Sequence, residues 1–424
     1  MRLLHHTAYF ILFALLCMCK SQAEYTGKPA KSLLNTENDL LEVNEVVFHE
    51  NDSLSALYLE IKNENLLYKY TDTAQLPYAR LKIMYQLFPA GKEKPILDSG
   101  NYLLYDRAEE EILSSKSIYS GFKLHAASGN DYLLHLSVID LNKRIQYIKE
   151  VKIQKKDRLN RQNFFVSKNG NIQFTNAFIA GDTVHVKLNS TLYINITQDY
   201  FSKEFPIALP PFSTKGETEA VPVPDSSSAK PIVGGEFSVL MPYKGYYHLR
   251  LSEAQQEGLS LFTYSSSFPG ITDASEMIHC TRYIMTKEEY TACLEAENKK
   301  KAIDKFWLEI GGSNERAREL LKRYYARVKE ANKLYTAFKE GWKTDRGMIF
   351  VVFGQPSSID QKEEEEVWVY GSAVNQTSTT FIFKKINNPY SNTLYVLERS
   401  QFYKSSWSNA VDLWRQGIYY EGRK

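Results

Sequence analysis

Four consecutive polar residues, Lys343, Thr344, Asp345 and Arg346, lie between Gly341-Trp342 and Gly347. An ammonium, a hydroxyl, a carboxylate and a guanidinium this close together could grip a polar ligand, and Arg suits carboxylates through its bidentate fork. With Arg327 and Asn332, on the helical stretch just before, they form the chain's candidate binding site for a carboxylate or carbohydrate. An architectural reading competes with this one: Asp345 accepts backbone donors in a turn, Arg346 pairs with an acid on the helix, and Trp342 plugs a corner between two glycines. That reading is preferred, because both glycines and Trp342 already have structural uses.

Other chemistry is sparse. Gly341-Trp342-Lys343-Thr344 mimics the end of a phosphate loop, but Thr336 stands where the first glycine is required. Neither H-E-x-x-H nor G-x-S-x-G occurs. His279 adjoins Cys280, and sequence neighbours on a strand point to opposite faces. The acidic run Glu363 to Glu366 lacks the spaced oxygens and glycine of a calcium loop and is expected to be a solvated turn. Cys280 and Cys293 have no metal-site spacing; they either form a disulfide in an oxidising compartment or stay as small buried hydrophobes. No catalytic residue, no metal and no cofactor is expected.

The elements that would carry the site follow from periodicity. A sustained apolar face, Ala317, Leu320, Leu321, Tyr324, Val328, Ala331, Tyr335 and Phe338, predicts a helix of roughly 40 Å ending at Gly341 in a left-handed cap. Asp345-Arg346-Gly347 then predicts a turn, and Met348 to Phe353, six apolar residues in a row, a strand buried on both faces. Val367–Tyr370, Thr379–Lys384 and Leu394–Glu398 complete an expected four-stranded antiparallel meander covered by the helix. Upstream, Thr286-x-x-Glu289 is a capping box, and Gly311-Gly312 followed by Ser313 separates two helices.

The first part of the chain reads as β structure, as the 29 Tyr and 22 Phe favour. Short strands separated by turn signals predict two immunoglobulin-like β-sandwiches, over 41–158 and 162–268. Leu54–Ile61 and Leu66–Tyr70 are read as a hairpin, Lys155 to Arg161 as a solvated linker, and 206–231, with six prolines, as a surface excursion. The fold class is therefore multidomain and mainly β, with an α+β C-terminus: a helical segment, 271–340, packed on an antiparallel sheet in 341–424.

The chain begins like an exported protein. Arg2 precedes an apolar run of about 11 residues, shorter than the roughly 20 that span a bilayer, and Ser21-Gln22-Ala23 suits cleavage. Residues 1–23 are thus expected to be a signal peptide and 24–40 a linker; alternatively, Cys19 is the acylated first residue of a lipoprotein. Loss of Arg2 and Lys20 with the signal leaves 50 basic against 50 acidic residues, with no global pull toward nucleic acid or anionic lipid. Asp52-Ser53-Leu54, Asp72-Thr73-Ala74 and Asp182-Thr183-Val184 fit an O-glycosylation pattern of exported Bacteroidota proteins.

Gly341-Trp342-Lys343-Thr344-Asp345-Arg346-Gly347 resembles the signature of the GWxTD domain family of exported proteins, chiefly from Bacteroidota. Ile303-Asp304-Lys305-Phe306-Trp307 resembles the family's D-x-F-W helix, and Tyr324-Tyr325-Ala326-Arg327-Val328 with Ala331-Asn332 its Y-Y-x-R-V-x-x-A-N helix. Phe353-Gly354-Gln355-Pro356 is similar to Y-G-x-P and Trp414-Arg415 to the terminal W-R, so the likeness covers about 270–424. The family often continues Pro-Asp-Glu where this chain has Pro356-Ser357-Ser358. The resemblance implies export but no established activity. Together these readings point to a non-catalytic scaffold or protein-interaction module of the periplasm or outer membrane, with envelope proteins as partners and membrane contact only through a lipid anchor or a partner. The alternative is a glycan- or peptide-binding module using exposed aromatics, and an enzyme of unrecognised type comes third.

Overall fold

A computed structural model describes residues 41–418 except 71–75, 92–93, 109–116, 203–204, 215–222, 253, 255, 362–363, 372–377, 387, 389 and 392. The expected signal peptide with Cys19, the linker 24–40, Asp72-Thr73 and the polar terminus 421–424 lie outside the described residues.

Seven strands come first: β1 (Val43–His49), β2 (Leu54–Lys62), β3 (Tyr78–Pro89), β4 (Asp98–Arg107), β5 (Ser117–His125), β6 (Asp131–Asp140) and β7 (Ile145–Gln154). They form two antiparallel sheets, β1-β2-β5 and β4-β3-β6-β7, which share one core that includes Leu57, Leu59, Ile83 and Leu136. Strand β6 shows the cause: Tyr132, Leu134, Leu136 and Val138 alternate inward while the residues between them face out. The expected hairpin of Leu66–Tyr70 with β2 does not form, because β2 pairs with β1 on one side and β5 on the other.

The next nine strands are β8 (Phe164–Lys168), β9 (Asn171–Ile172), β10 (Ala177–Ile179), β11 (Thr183–Leu188), β12 (Asn195–Phe201), β13 (Ser226–Pro231), β14 (Glu236–Leu240), β15 (Gly245–Arg250) and β16 (Leu259–Tyr264). Their sheets, β14-β11-β8-β9 and β10-β16-β15-β12-β13, close over a second core of Phe164, Val186, Val239 and Leu261. Every residue of β16 is buried, since the far face of its sheet is also covered: Phe201, Tyr246, Phe262 and Tyr264 pack against Ala337, Phe338 and Leu394.

Two expected surface segments are partly interior. Lys155 is buried, donating to Leu54 O at 3.0 Å and Ala126 O at 2.6 Å, and Asn160 and Asn163 interlock beside it. The basic stretch 155–161 is thus a partly buried joint: Lys155, Asn160 and Arg161 donate to backbone carbonyls, while Lys156 and Arg158 are exposed. Only part of the proline-rich stretch is peripheral. β13 is an edge strand, as prolines demand, but Ile207, Ala208 and Phe212 pack into the C-terminal core.

The C-terminal part contains α1 (Ala274–Thr281), α2 (Lys287–Glu295), α3 (Lys299–Gly311), α4 (Asn314–Tyr335), α5 (Asp345–Phe353), an antiparallel sheet β17 (Ser358–Gln361), β18 (Glu365–Tyr370), β19 (Thr379–Lys385) and β20 (Tyr395–Leu397), and finally α6 (Tyr403–Arg415). Thr286 and Glu289 form the capping box of α2, and Gly312, at φ 69°, ends α3.

Three expectations change here. Met348 to Phe353 is not a strand; it belongs to α5, in which every residue is buried. An all-apolar run cannot separate a buried strand from a buried helix, and the deciding signal is Thr344, whose hydroxyl accepts from Gly347 N at 3.0 Å and caps the helix. The sheet keeps four strands because β17 takes the vacated place. Helix α4 stops at Tyr335 rather than Gly341: Thr336 Oγ1 donates to Asn332 O at 2.6 Å and accepts from Gly341 N at 3.0 Å, turning the chain. Finally, the expected solvated turn does not reach Glu366: Glu364 is an exposed bend, but Glu365 and Glu366 begin β18 and Glu366 is buried, while Glu363 lies outside the described residues.

Candidate functional site

The motif Gly341-Trp342-Lys343-Thr344-Asp345-Arg346-Gly347 is a 3₁₀ turn, Gly341–Lys343, running into the first turn of α5, and all seven residues are buried. Neither glycine is there for a positive φ. A Cβ on Gly341 would lie 1.9 Å from Ala331 O, and one on Gly347 would lie 1.8 Å from Gly341 O. The turn is pressed between α4 and α5 so tightly that only glycine fits.

Asp345 is bonded to Leu397 and Arg399. Its Oδ2 accepts from Leu397 N at 2.7 Å and Arg399 Nη1 at 3.0 Å, and its Oδ1 accepts from Arg399 Nη2 at 2.6 Å. Arg399 also donates to Leu209 O at 3.2 Å, so the proline-rich stretch reaches the motif. Arg346 donates to Glu366 Oε1 at 3.0 Å and Thr393 O at 2.6 Å, with its guanidinium 4.3 Å from the Tyr395 ring centroid and 5.3 Å from that of Tyr335. The expected acid on the helix is instead Glu366 on β18, which also accepts from Trp368 Nε1. Burial holds the Tyr335 hydroxyl well above its usual pKa.

The remaining candidates are equally committed. Lys343 pairs with Glu340 at 2.9 Å and lies over the Trp342 ring. Trp342 N donates to Asn332 Oδ1 at 3.2 Å, Trp342 O accepts from Tyr283 Oη at 2.7 Å, and Asn332 Nδ2 donates to Pro269 O at 2.8 Å. Arg327 works at the other end of α5, donating to Val351 O at 3.3 Å and Val352 O at 3.2 Å, where a cation also complements the helix dipole. Arg327 and Arg346 therefore do not face one ligand. A nine-residue helix, about 12 Å of rise, separates the places where they act.

The motif elements converge on α5. Trp414 Nε1 donates to Val352 O at 3.0 Å, Arg415 grips Glu289 with both terminal nitrogens at 2.8 Å, and Trp307 packs 5.3 Å from the Tyr324 ring. Tyr324 Oη donates to Cys280 O at 2.7 Å. Cys280 and Cys293 are free, buried thiols on α1 and α2, so the disulfide alternative fails; burial raises both pKa values and keeps them protonated.

Sequence reading missed two histidine–serine pairs. His49 Nδ1 lies 2.9 Å from Ser55 Oγ, and His248 Nδ1 lies 2.8 Å from Ser260 Oγ; each Nε2 meets a backbone carbonyl, of Gln154 and Gln256 respectively. Carbonyl partners fix the proton on Nε2 and leave Nδ1 to accept from serine, as in a nucleophile–base pair. All four side chains are buried, none more than 3% exposed, so no substrate reaches them. Among the described residues no group of acids, histidines and cysteines could hold a metal ion. No helix among them is long and apolar enough to cross a membrane.

Among solved structures, the Bacteroides uniformis beta-glucuronidase 2 covalently bound to cyclophellitol-6-carboxylate aziridine is 10% identical over 33% of this chain, with a TM-score of 0.17. This chain spans only 15% of that one, and so low a similarity decides nothing about fold or activity. No curated protein matches the chain. The model of the GWxTD domain matches residues 245–416, which takes in β15 and β16 and so starts earlier than the expected 270. The chain is a GWxTD domain-containing protein.

Proposed function

We propose that the protein is an exported cell-envelope component acting as a non-catalytic scaffold or protein-interaction module. The observation that carries this reading is the commitment of the motif: every polar side chain of Lys343 to Arg346 is buried and bonded within the fold, leaving shape rather than reactivity as its product. The two β units support a spacer role. In the first, two antiparallel sheets, β1-β2-β5 and β4-β3-β6-β7, share one core, which supports the reading of an immunoglobulin-like sandwich. Export and periplasmic or outer-membrane residence rest on the sequence of the first 23 residues, with acylation at Cys19 as the route to an anchor.

Crosslinking in intact envelopes, followed by co-purification of the full chain in mild detergent, tests the reading. A protein partner enriched reproducibly over a non-crosslinked control is the expected result. Recovery of the chain alone would overturn it. Palmitate incorporation distinguishes the lipoprotein from the soluble exported form.

A further inference from the structure

A cleft of about 520 Å³ opens between β2 and β5 of the first β unit and the β8–β9 hairpin of the second. Its size is that of a small-ligand pocket, and junctions between folding units are where such pockets concentrate. Three aromatic rings, those of Tyr58, Tyr119 and Phe174, line it. Tyr119, 64% exposed, stacks beside Phe174 with centroids 5.9 Å apart and planes 29° apart, making one continuous platform. Tyr58, paired across the strands with Gly121, has its ring braced 5.6 Å from Phe165 on β8, whereas the Phe122 ring turns to the core and stacks on Tyr85 at 4.4 Å.

Gly121, in the middle of β5, lets the Tyr58 ring lie flat on the strand, since a Cβ there would come within 3.2 Å of Tyr58 Cδ1 and of Leu57 O. Among the described residues the Tyr58 hydroxyl has no hydrogen-bond partner, so it is available to a ligand. The two charged lining residues, Glu50 and Lys123, neutralise each other at 2.8 Å.

We propose that this cleft binds a neutral saccharide of one or two rings. A pyranose has a flat C–H face that stacks on Tyr119 and Phe174 and an edge of hydroxyls that can both donate and accept. Those hydroxyls meet the Tyr58 hydroxyl, the Glu50 carboxylate and the Lys123 ammonium, three groups of complementary type at one wall. An anionic ligand would find Lys123 already paired. The cleft is remote from the GWxTD motif, so the scaffold reading and this one stand or fall separately.

Saturation-transfer NMR of the full chain with maltose, cellobiose, mannobiose and N,N′-diacetylchitobiose tests the proposal. Transfer to the ring C–H protons of at least one disaccharide is expected. Tyr119→Ala and Phe174→Ala should each weaken it about tenfold, the scale of one lost stacking contact. Tyr105→Ala, an exposed aromatic outside the cleft, should change nothing, and thermal melts should show all three variants folded. No transfer from any of the four sugars, or transfer undiminished in both cleft variants, would overturn the assignment. So would preferential binding of an extended peptide, whose backbone would pair with the edge strand β5.

Discussion

Asp345 and Arg346 are neighbours in sequence with separate duties. Asp345 ties the start of α5 to β20 and, through Arg399, to the stretch around Leu209; Arg346 ties it to β18 through Glu366. Each is a buried charge, and removing one partner leaves the other desolvated and uncompensated, which typically costs about 3–5 kcal/mol. Arg346→Ala and Asp345→Ala should therefore each lower stability by about that amount in urea unfolding. A loss under about 1 kcal/mol would mean that water replaces the missing partner. The motif was legible as a polar cluster and its architectural role was argued from composition. Its partners were not legible: Arg399 lies 54 residues on and Glu366 twenty, and nothing in the intervening pattern specifies either pairing.

At the scale of elements, the instructive case is α5. Gly347 lies inside a helix, where replacement by alanine ordinarily gains about 1 kcal/mol from propensity alone. Here the added Cβ would sit 1.8 Å from Gly341 O, against backbone that cannot yield. Overpacking should win, so Gly347→Ala is expected to destabilise by about 3 kcal/mol or more, read from the shift in urea midpoint. A more stable variant would show that the 3₁₀ turn relaxes away from the helix. Such close approach explains why local reading stopped short at this corner. Capping boxes and a glycine stop announced α2 and the end of α3, because those signals act within four residues. Strands β4 and β5 went unread for a related reason: Gly100, Asn101 and Gly121 break their apolar pattern, and their pairings with β3 and β2 override weak propensity.

Across the whole molecule, His49 and His248 play matching parts in the two β units, and both are held to a pKa of about 4, chiefly by burial. An unfolded histidine takes up its proton near pH 6.5, so the unfolded state binds protons first as the medium acidifies. Stability supplied by the neutral, buried rings is then complete above about pH 6.5 and lost as pH falls toward 4. The melting temperature should decline through that window, and His49→Gln with His248→Gln should flatten the decline. An unchanged slope in the double variant would refute the assignment. The carboxylates Glu60 and Glu289, whose pKa values are lowered, add their losses only at more acidic pH. The reach of the family match has a further consequence. Residues 245–416 begin at β15, yet β15 and β16 complete a sheet whose other strands, β10, β12 and β13, precede the match. The matched segment therefore cuts that sheet in two. Excised at its first residue, it would leave β15 without β12 and β16 without β10, so the matched segment borrows the half-sheet that receives it from the strands before it.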